Sequence, residues 1–154
     1  MDLLQSIVVT PFKQAYQVQA KKLILAGLEE HWGVLDTSKN PDLDDIGTSY
    51  KNGLFLIALR NDEVVGTGAI VPRPNNTGEI VRMSVATHLR RHGIGKMLLD
   101  ELNNYARKAG YEKIMLETTE KWQEVFEFYK KYGFQITHYR DGNVYFSLEI
   151  LCCR

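Results

Sequence analysis

The spacing of hydrophobic positions changes along the chain, and the middle of the chain shows the strand pattern most clearly. Leu54–Arg60, Val64–Val71 and Glu79–Val85 are rich in β-branched and aliphatic residues. The turn-forming stretches Asp62-Glu63 and Pro72–Gly78 separate them. These three segments are therefore predicted to be consecutive strands of an antiparallel meander.

Four other segments show helical spacing or helical end signals. The strongest is Gly93–Ala109, in which apolar residues share one stripe and Gly110 follows as a stop. Glu120–Tyr132 is predicted as a helix with an aromatic face. Earlier in the chain, Lys13–Glu30 and the shorter Asp42–Tyr50 are predicted to be helices as well.

The remaining strands are predicted at the two ends of the chain and between the last two helices. They are Ser6–Phe12, Lys113–Glu117, and a closing hairpin of Phe134–Arg140 and Val144–Ile150 around a turn at Asp141–Asn143. The resulting order is β-α-α-β-β-β-α-β-α-β-β. Because the fourth and fifth strands flank a helix, they are expected to be parallel neighbours. The predicted fold class is α+β with a mixed sheet.

Composition limits the kinds of partner that the chain can select by charge. The chain has 154 residues, and its 19 Lys and Arg balance its 19 Asp and Glu. This length suits one domain, predicted over residues 1–154. A neutral chain has no dominant long-range field, so we expect neither nucleic acid nor a membrane surface as a partner.

Targeting and metal-binding signals are weak in this sequence. Met1–Gln5 has neither a basic region nor an apolar stretch, and no apolar run approaches the ~20 residues of a membrane helix. The only cysteines, Cys152 and Cys153, are adjacent and cannot staple a fold. We therefore expect a cytoplasmic protein without a metal site.

The segment between the third meander strand and the strongest helix carries the clearest chemical signal. Arg90 and Arg91 precede Gly93 and Gly95, and Lys96 follows them at the predicted helix start. The first amides of a helix have no internal partner and carry partial positive charge. Glycines keep side chains away from those amides, so the turn is predicted to bind an anion such as a diphosphate.

These residues resemble the GNAT acetyltransferase superfamily. Arg90-Arg91-His92-Gly93-Ile94-Gly95 matches its motif [QR]-x-x-G-x-[GA], and Tyr129 to Phe134 matches its second motif, Y-x-x-x-G-F. The resemblance implies a six- to seven-stranded, mostly antiparallel sheet with helices on both faces. It also implies a splay between the fourth and fifth strands that receives the thioester of acetyl-CoA.

The resemblance implies where acetyl-CoA, the co-substrate, would bind. The diphosphate is expected on the amides from Arg91 to Lys96, and the pantetheine arm along Met83–Val85. Many family members carry Asn seven residues before the motif tyrosine, where this chain has Trp122, so the contact of that Asn with the cofactor is either absent or replaced, with Gln123 as the candidate. The cofactor-binding residues implied in this way are Met83, Ser84, Val85, Arg90, Arg91, His92, Gly93, Ile94, Gly95, Lys96 and Tyr129.

Three residues are candidates for the chemistry of acyl transfer. Glu79 corresponds to the base of several family members and is a candidate to remove a proton from the amine, although a water chain is an alternative. Tyr129 is a candidate to protonate the departing sulfur. The Val85 amide is a candidate oxyanion donor, freed by a strand bulge expected at that residue.

The predicted reaction is direct acetyl transfer to a primary amine in a ternary complex, with a small amine or peptide amine as acceptor. His31 and Trp32 follow the first helix, where the family's acceptor site usually lies, and are candidates for acceptor binding. Whether the chain forms a homodimer is left open. The alternative is a non-catalytic regulatory protein that binds acyl-CoA.

Overall fold

Seven strands form one sheet in this computed structural model, which describes residues 3–33, 36 and 39–150. The spatial order is β1-β2-β3-β4-β5-β7-β6. The strands are β1 (Ile7–Pro11), β2 (Leu54–Arg60), β3 (Glu63–Arg73), β4 (Thr77–Val85), β5 (Lys113–Thr119), β6 (Gln135–Arg140) and β7 (Asn143–Glu149).

Four α-helices connect these strands: α1 (Gln17–Trp32), α2 (Ile46–Ser49), α3 (Ile94–Ala109) and α4 (Gln123–Tyr132). No helix in the described part of the chain is long and apolar enough to cross a membrane. The predicted succession of strands and helices is confirmed, with shifts of a few residues at most ends. The predicted extent of one domain over residues 1–154 stays a prediction.

The sheet is mixed, as predicted. β4 and β5 run parallel, whereas every other neighbouring pair is antiparallel. The closing hairpin returns with β7 against β5 and leaves β6 at the sheet edge. Apolar side chains cover both faces of this sheet. Leu98 and Leu102 of α3 pack on one face, and Ala20 and Ile24 of α1 pack on the other.

The second predicted helix is interrupted. The structure has a 3-10 turn at Pro41–Asp44 and then the four-residue α2, with the non-helical backbone of Asp45 between them. The Asp45 carboxylate accepts hydrogen bonds from the Thr48 amide at 3.2 Å and the Thr48 hydroxyl at 2.9 Å. A side-chain cap of this kind begins a new helix and ends the previous turn.

β4 and β5 separate after a short paired region. They pair only from Thr77 and Lys113 to Glu79 and Met115, although both strands continue beyond. β4 also contains a bulge opposite β3, marked by a positive φ of 56° at Arg82. The predicted bulge at Val85 is therefore wrong, because the extra residue lies earlier in the strand. The expected gap between the two strands is present.

Candidate active site

The N-terminus of α3 is open to a ligand. Gly93 is its N-cap with a φ of 91°, and no side chain there accepts a cap hydrogen bond. This left-handed backbone is natural for glycine and strained for other residues. The amides of the first helical turn lack partners inside the helix, so they face the space in front of it.

Gly95 has a packing role in addition to the predicted one, which is to keep a side chain away from the amides that bind an anion. A Cβ atom at this position would lie 3.2 Å from Cζ of Phe128 in α4. The absence of a side chain therefore lets α3 and α4 approach closely at the start of α3. A bulky residue there would displace Phe128, so loss of ligand binding in such a variant would not isolate a clash with the ligand.

The basic residues of the turn are paired with carboxylates. Arg91 Nη2 lies 2.5 Å from Glu124 Oε1, and Lys96 Nζ lies 2.9 Å from Asp100 Oδ2. Both pairs are exposed, and such pairs exchange partners at little cost. These two cations can therefore turn to a phosphate.

Arg90 differs from these two residues because its guanidinium fastens the turn to neighbouring elements. Its Nη1 donates to Glu30 Oε1 at 2.8 Å, and its Nε donates to the Val85 carbonyl at 3.2 Å. Hydrogen bonds from Arg90 and Thr87 lower the pKa of Glu30. Arg90 therefore links the end of β4 to α1.

A cleft of about 820 Å³ extends from this turn into the gap between β4 and β5. We name it the larger cleft. Its walls come from α1, β4, α3, β5 and α4. His92 is not among its lining residues. The predicted cofactor-binding residues that line it are Met83, Ser84, Val85, Arg90, Arg91, Gly93, Ile94, Gly95, Lys96 and Tyr129.

The main chain of Val85 faces this cleft. The Ala86 amide donates to the Val65 carbonyl of β3 at 2.9 Å, and Val85 is the residue opposite Gly66. Hydrogen-bonded and non-hydrogen-bonded pairs alternate in an antiparallel ladder. The Val85 amide therefore points away from β3, toward the side where β4 has lost its contact with β5.

Tyr129 lies in an aromatic cluster beneath the gap. Its ring is 6% exposed and contacts Phe128, Phe134 and Phe146, with centroids between 5.2 and 5.9 Å away. Burial raises the pKa of Tyr129 well above its ordinary value. The phenol thus stays protonated over the working range of pH and can donate a hydrogen bond into the larger cleft.

A second cleft, of about 520 Å³, lies between the segment of residues 42–50 and strands β3, β4 and β5. We name it the smaller cleft. Glu79 lines it, and the Glu79 Oε1 atom accepts a hydrogen bond from Arg73 Nε at 2.7 Å. The partner of Glu79 is therefore Arg73. Arg82 instead pairs with Asp42, with 2.7 Å between Nη2 and Oδ1.

The two clefts share four lining residues of the splayed strands. Both are lined by Ile80, Val81, Arg82 and Glu117. Sequence analysis did not single out Glu117. Its carboxylate accepts from Asn143 Nδ2 at 3.2 Å, and it also accepts the Tyr145 hydroxyl, which raises the pKa of that phenol. The signal available in the sequence was a charged residue, Glu117, at the end of a predicted strand whose residues Ile114 and Leu116 are apolar.

His31 and Trp32 line neither cleft. The His31 ring stacks on Trp122, with centroids 3.9 Å apart, and its Nε2 is buried without a hydrogen-bond partner. Burial, with a smaller effect of Lys121, lowers the pKa of His31. Trp122 lines the larger cleft. Binding of the acceptor by His31 and Trp32 stays a prediction that this placement does not support.

Trp122 occupies the position at which many members of the family have asparagine. Trp122 lines the larger cleft immediately before α4, whereas Gln123 is exposed and donates to Glu127 at 3.1 Å. Gln123 is thus turned toward its own helix. At this position the group that lines the larger cleft is therefore Trp122.

The larger cleft fits coenzyme A. It offers open helix amides for a diphosphate, exposed cations beside them and an unpaired strand edge for an extended arm with amide groups. Among the described residues, no group of three His, Cys, Asp or Glu is arranged to hold a metal ion. Cys152 and Cys153 lie outside those residues.

Solved structures share this fold. A GNAT-family acetyltransferase from Staphylococcus aureus superposes with a TM-score of 0.87 and 24% identity, covering 94% of this chain and 99% of its own. The PaiA N-acetyltransferase of Thermoplasma acidophilum, solved with coenzyme A, superposes with a TM-score of 0.82 and 17% identity, with the same coverage of both chains.

Sequence comparisons identify the family. The IAA acetyltransferase of Azospirillum brasilense is 34% identical over 113 residues, which are 72% of this chain and 74% of that protein. The chain spans about half the length of other curated N-acetyltransferases that it matches. The profile described as "Acetyltransferase (GNAT) family" matches residues 19–134. The chain therefore belongs to the GNAT family of acetyl-CoA-dependent acyltransferases.

Proposed function

We propose that this protein transfers the acetyl group of acetyl-CoA to a primary amine by direct attack within a ternary complex. The observation that carries the proposal is that two clefts share Ile80–Arg82 and Glu117 as lining residues. One cleft has the features of a coenzyme A site, and the other is lined by carboxylates. A thioester in one and an amine in the other would react where they meet.

The cofactor is held by main-chain groups in this proposal. The amides from Arg91 to Lys96 bind the diphosphate at the N-terminus of α3, with Arg91 and Lys96 exchanging their carboxylate partners for phosphate oxygens. Met83–Val85 hydrogen-bond the pantetheine arm along the free edge of β4. When bound, acetyl-CoA supplies an activated acyl group.

The amine reaches the thioester through the smaller cleft. An alkyl ammonium must lose a proton before it can attack, because its ordinary pKa is about 10.4. Glu79 is the proposed base, acting directly or through water, while Arg73 holds its carboxylate. The volume of about 520 Å³ suits a small amine or the end of a peptide.

Two groups on the larger cleft complete the reaction. The Val85 amide points toward the gap and donates a hydrogen bond to the developing oxyanion. Tyr129 donates its phenol proton to the departing sulfur and is reprotonated, through water, by the proton that Glu79 took from the amine, so that CoA leaves as a thiol. Ser84 lines the larger cleft and Ser49 the smaller one. A serine needs an adjacent base to act as a nucleophile, and no described histidine hydrogen-bonds to either serine. The proposed route therefore has no acyl-enzyme intermediate.

A non-catalytic regulatory protein that binds acyl-CoA is the second candidate. Such a protein would keep the larger cleft and would not need carboxylates on the smaller one. The experiment that separates the two combines calorimetric titration with acetyl-CoA and a thiol assay for released CoA against a panel of primary amines. Binding with amine-dependent release supports the enzyme, and binding without release from any amine supports the regulator.

A further inference from the structure

Arg82 occupies the bulge of β4, and its backbone is held there by a buried hydroxyl. Its φ of 56° lies in a region that long side chains rarely adopt, so surrounding contacts must maintain it. The Thr67 hydroxyl donates to the Arg82 carbonyl at 2.7 Å, and Thr67 is fully buried in β3. The bulge is thus fixed from the side of β3.

The side chain of Arg82 is held by residues of the segment before α2. Its Nε donates to Asp42 Oδ2 at 3.0 Å and its Nη2 to Asp42 Oδ1 at 2.7 Å, a two-pronged contact. Nη2 also donates to Asn40 Oδ1 at 3.1 Å, and the Tyr50 hydroxyl donates to Asp42 Oδ2 at 2.5 Å. We name these four residues, Asn40, Asp42, Tyr50 and Arg82, the Arg82 clamp.

The clamp fastens residues 40–50, which form one wall of the smaller cleft, onto β4. Asp42, Ser49 and Tyr50 line that cleft together with Arg82. The wall is also anchored to α1 and the sheet by the fully buried Leu43 and Ile46, by hydrogen bonds of the Gln17 side chain with the main chain of both residues, and by the ion pair of Asp44 with Lys21. Among the described residues, the hydrogen bonds between this wall and β4, the strand that would hold the cofactor, all come from the clamp.

We propose that Arg82 and Asp42 are positioning residues that fix the acceptor wall relative to the thioester, an inference that rests on the proposed function. Arg82 lines both clefts, so one residue sets the opening of the sheet and the place of the wall that faces it. The clamp acts on the acceptor through Asp42, Ser49 and Tyr50. None of its hydrogen bonds involves the main chain of Met83–Val85 or the amides from Arg91 to Lys96.

The test compares Asp42→Asn with Asp44→Asn, the same change two positions along the same segment. Asp44 is exposed and pairs with Lys21 at 2.6 Å, and it does not line the smaller cleft. Losing the charge of Asp42 should raise the KM for the amine about tenfold or more. The Kd for acetyl-CoA should stay within about twofold, and Asp44→Asn should change neither quantity.

Arg82→Lys provides a second variant, since lysine keeps the charge and loses the two-pronged geometry. It should raise the KM for the amine in the same way. An unchanged KM in both Asp42→Asn and Arg82→Lys overturns the proposal. An equal weakening of acetyl-CoA binding also overturns it, because the clamp would then serve the cofactor strand.

Hydrogen exchange gives a readout that does not require turnover. The amides of residues 43–50 should exchange faster in Asp42→Asn than in Asp44→Asn, while acetyl-CoA still protects residues 83–85. Equal exchange in the two variants overturns the proposal. If the wild-type protein acetylates no amine, the proposed function fails, and the exchange data together with acetyl-CoA affinity alone decide whether the clamp holds the wall.

Discussion

Arg73 Nε donates a hydrogen bond to Glu79 Oε1 at 2.7 Å, and Glu79 belongs to the last residue pair that joins β4 to β5. Glu79 therefore lies at the closed end of the gap. Glu117 lies beyond Met115, the last residue of β5 paired with β4, and it lines both clefts. The two carboxylates thus occupy different places along the path of an incoming amine.

This difference gives separate expectations for the two carboxylates. Glu79→Gln should lower kcat for the amine by about 100-fold or more, because the base is lost. Glu117→Gln should leave kcat within about twofold and raise the KM for the amine about tenfold, through loss of a charged contact with the ammonium. Steady-state kinetics of both variants with one amine provide the measurement. An unchanged kcat in Glu79→Gln assigns removal of the proton to another group.

Tyr129→Phe should lower kcat by about 10- to 1000-fold, the range that a general acid supplies. Burial raises the pKa of Tyr129, so its hydroxyl should contribute no limb to the pH profile near neutrality. Tyr132→Phe is the matched control, since Tyr132 also lines the larger cleft but donates to Asp100 at 2.6 Å. If both variants keep the wild-type kcat, Tyr129 has no part in the chemistry.

Gly93 and Gly110 allow backbone strain to be separated from ligand binding. Both have left-handed backbones, with φ values of 91° and 84°, at opposite ends of α3. Alanine at either position should lower the free energy of unfolding by about 1–2 kcal/mol. Only Gly93→Ala should also weaken acetyl-CoA binding in calorimetry. Equal affinities in the two variants would place the diphosphate elsewhere.

Asp42 gives a prediction for stability in acid. Burial alone would raise the pKa of Asp42, but hydrogen bonds from Arg82 and Tyr50 outweigh burial and lower it. A lowered pKa in the folded state means that the carboxylate stabilises the fold above its unfolded pKa, about 3.9. That contribution is lost as the pH falls through the folded value.

Urea unfolding of the wild type and Asp42→Asn over a pH series checks this expectation. The difference in unfolding free energy should be present at neutral pH and shrink below about pH 4. Asp44→Asn, on the same segment, should differ little from the wild type throughout. A difference for Asp42→Asn that is independent of pH would mean that its charge contributes nothing.

The order of elements was predictable because its signals are local. The apolar stripe before Gly110 and the turn around Gly142 define α3 and the closing hairpin, and both are present. The break at Asp45 was not predicted. The acidic residues Asp42, Asp44 and Asp45 suit the first turn of one helix as well as the cap of a second helix. Local patterns thus determine which elements exist better than where they end.

The site was predictable where it rests on one continuous segment. The turn from Arg90 to Lys96 lies at the head of the larger cleft, although His92 does not line it, and its binding of the cofactor stays a prediction. The bulge at Arg82 and the place of Glu117 were missed, because both depend on distant strands. The bulge needs the Thr67 hydroxyl of β3, and Glu117 reaches the gap only through the sheet order.

The measurement that tests the account most directly is a crystal structure of the protein with coenzyme A. We predict that the diphosphate contacts the main-chain amides from Arg91 to Lys96 and that the thiol end reaches the opening between β4 and β5. Clear density for coenzyme A at any other surface, with this helix end left empty, would contradict the account.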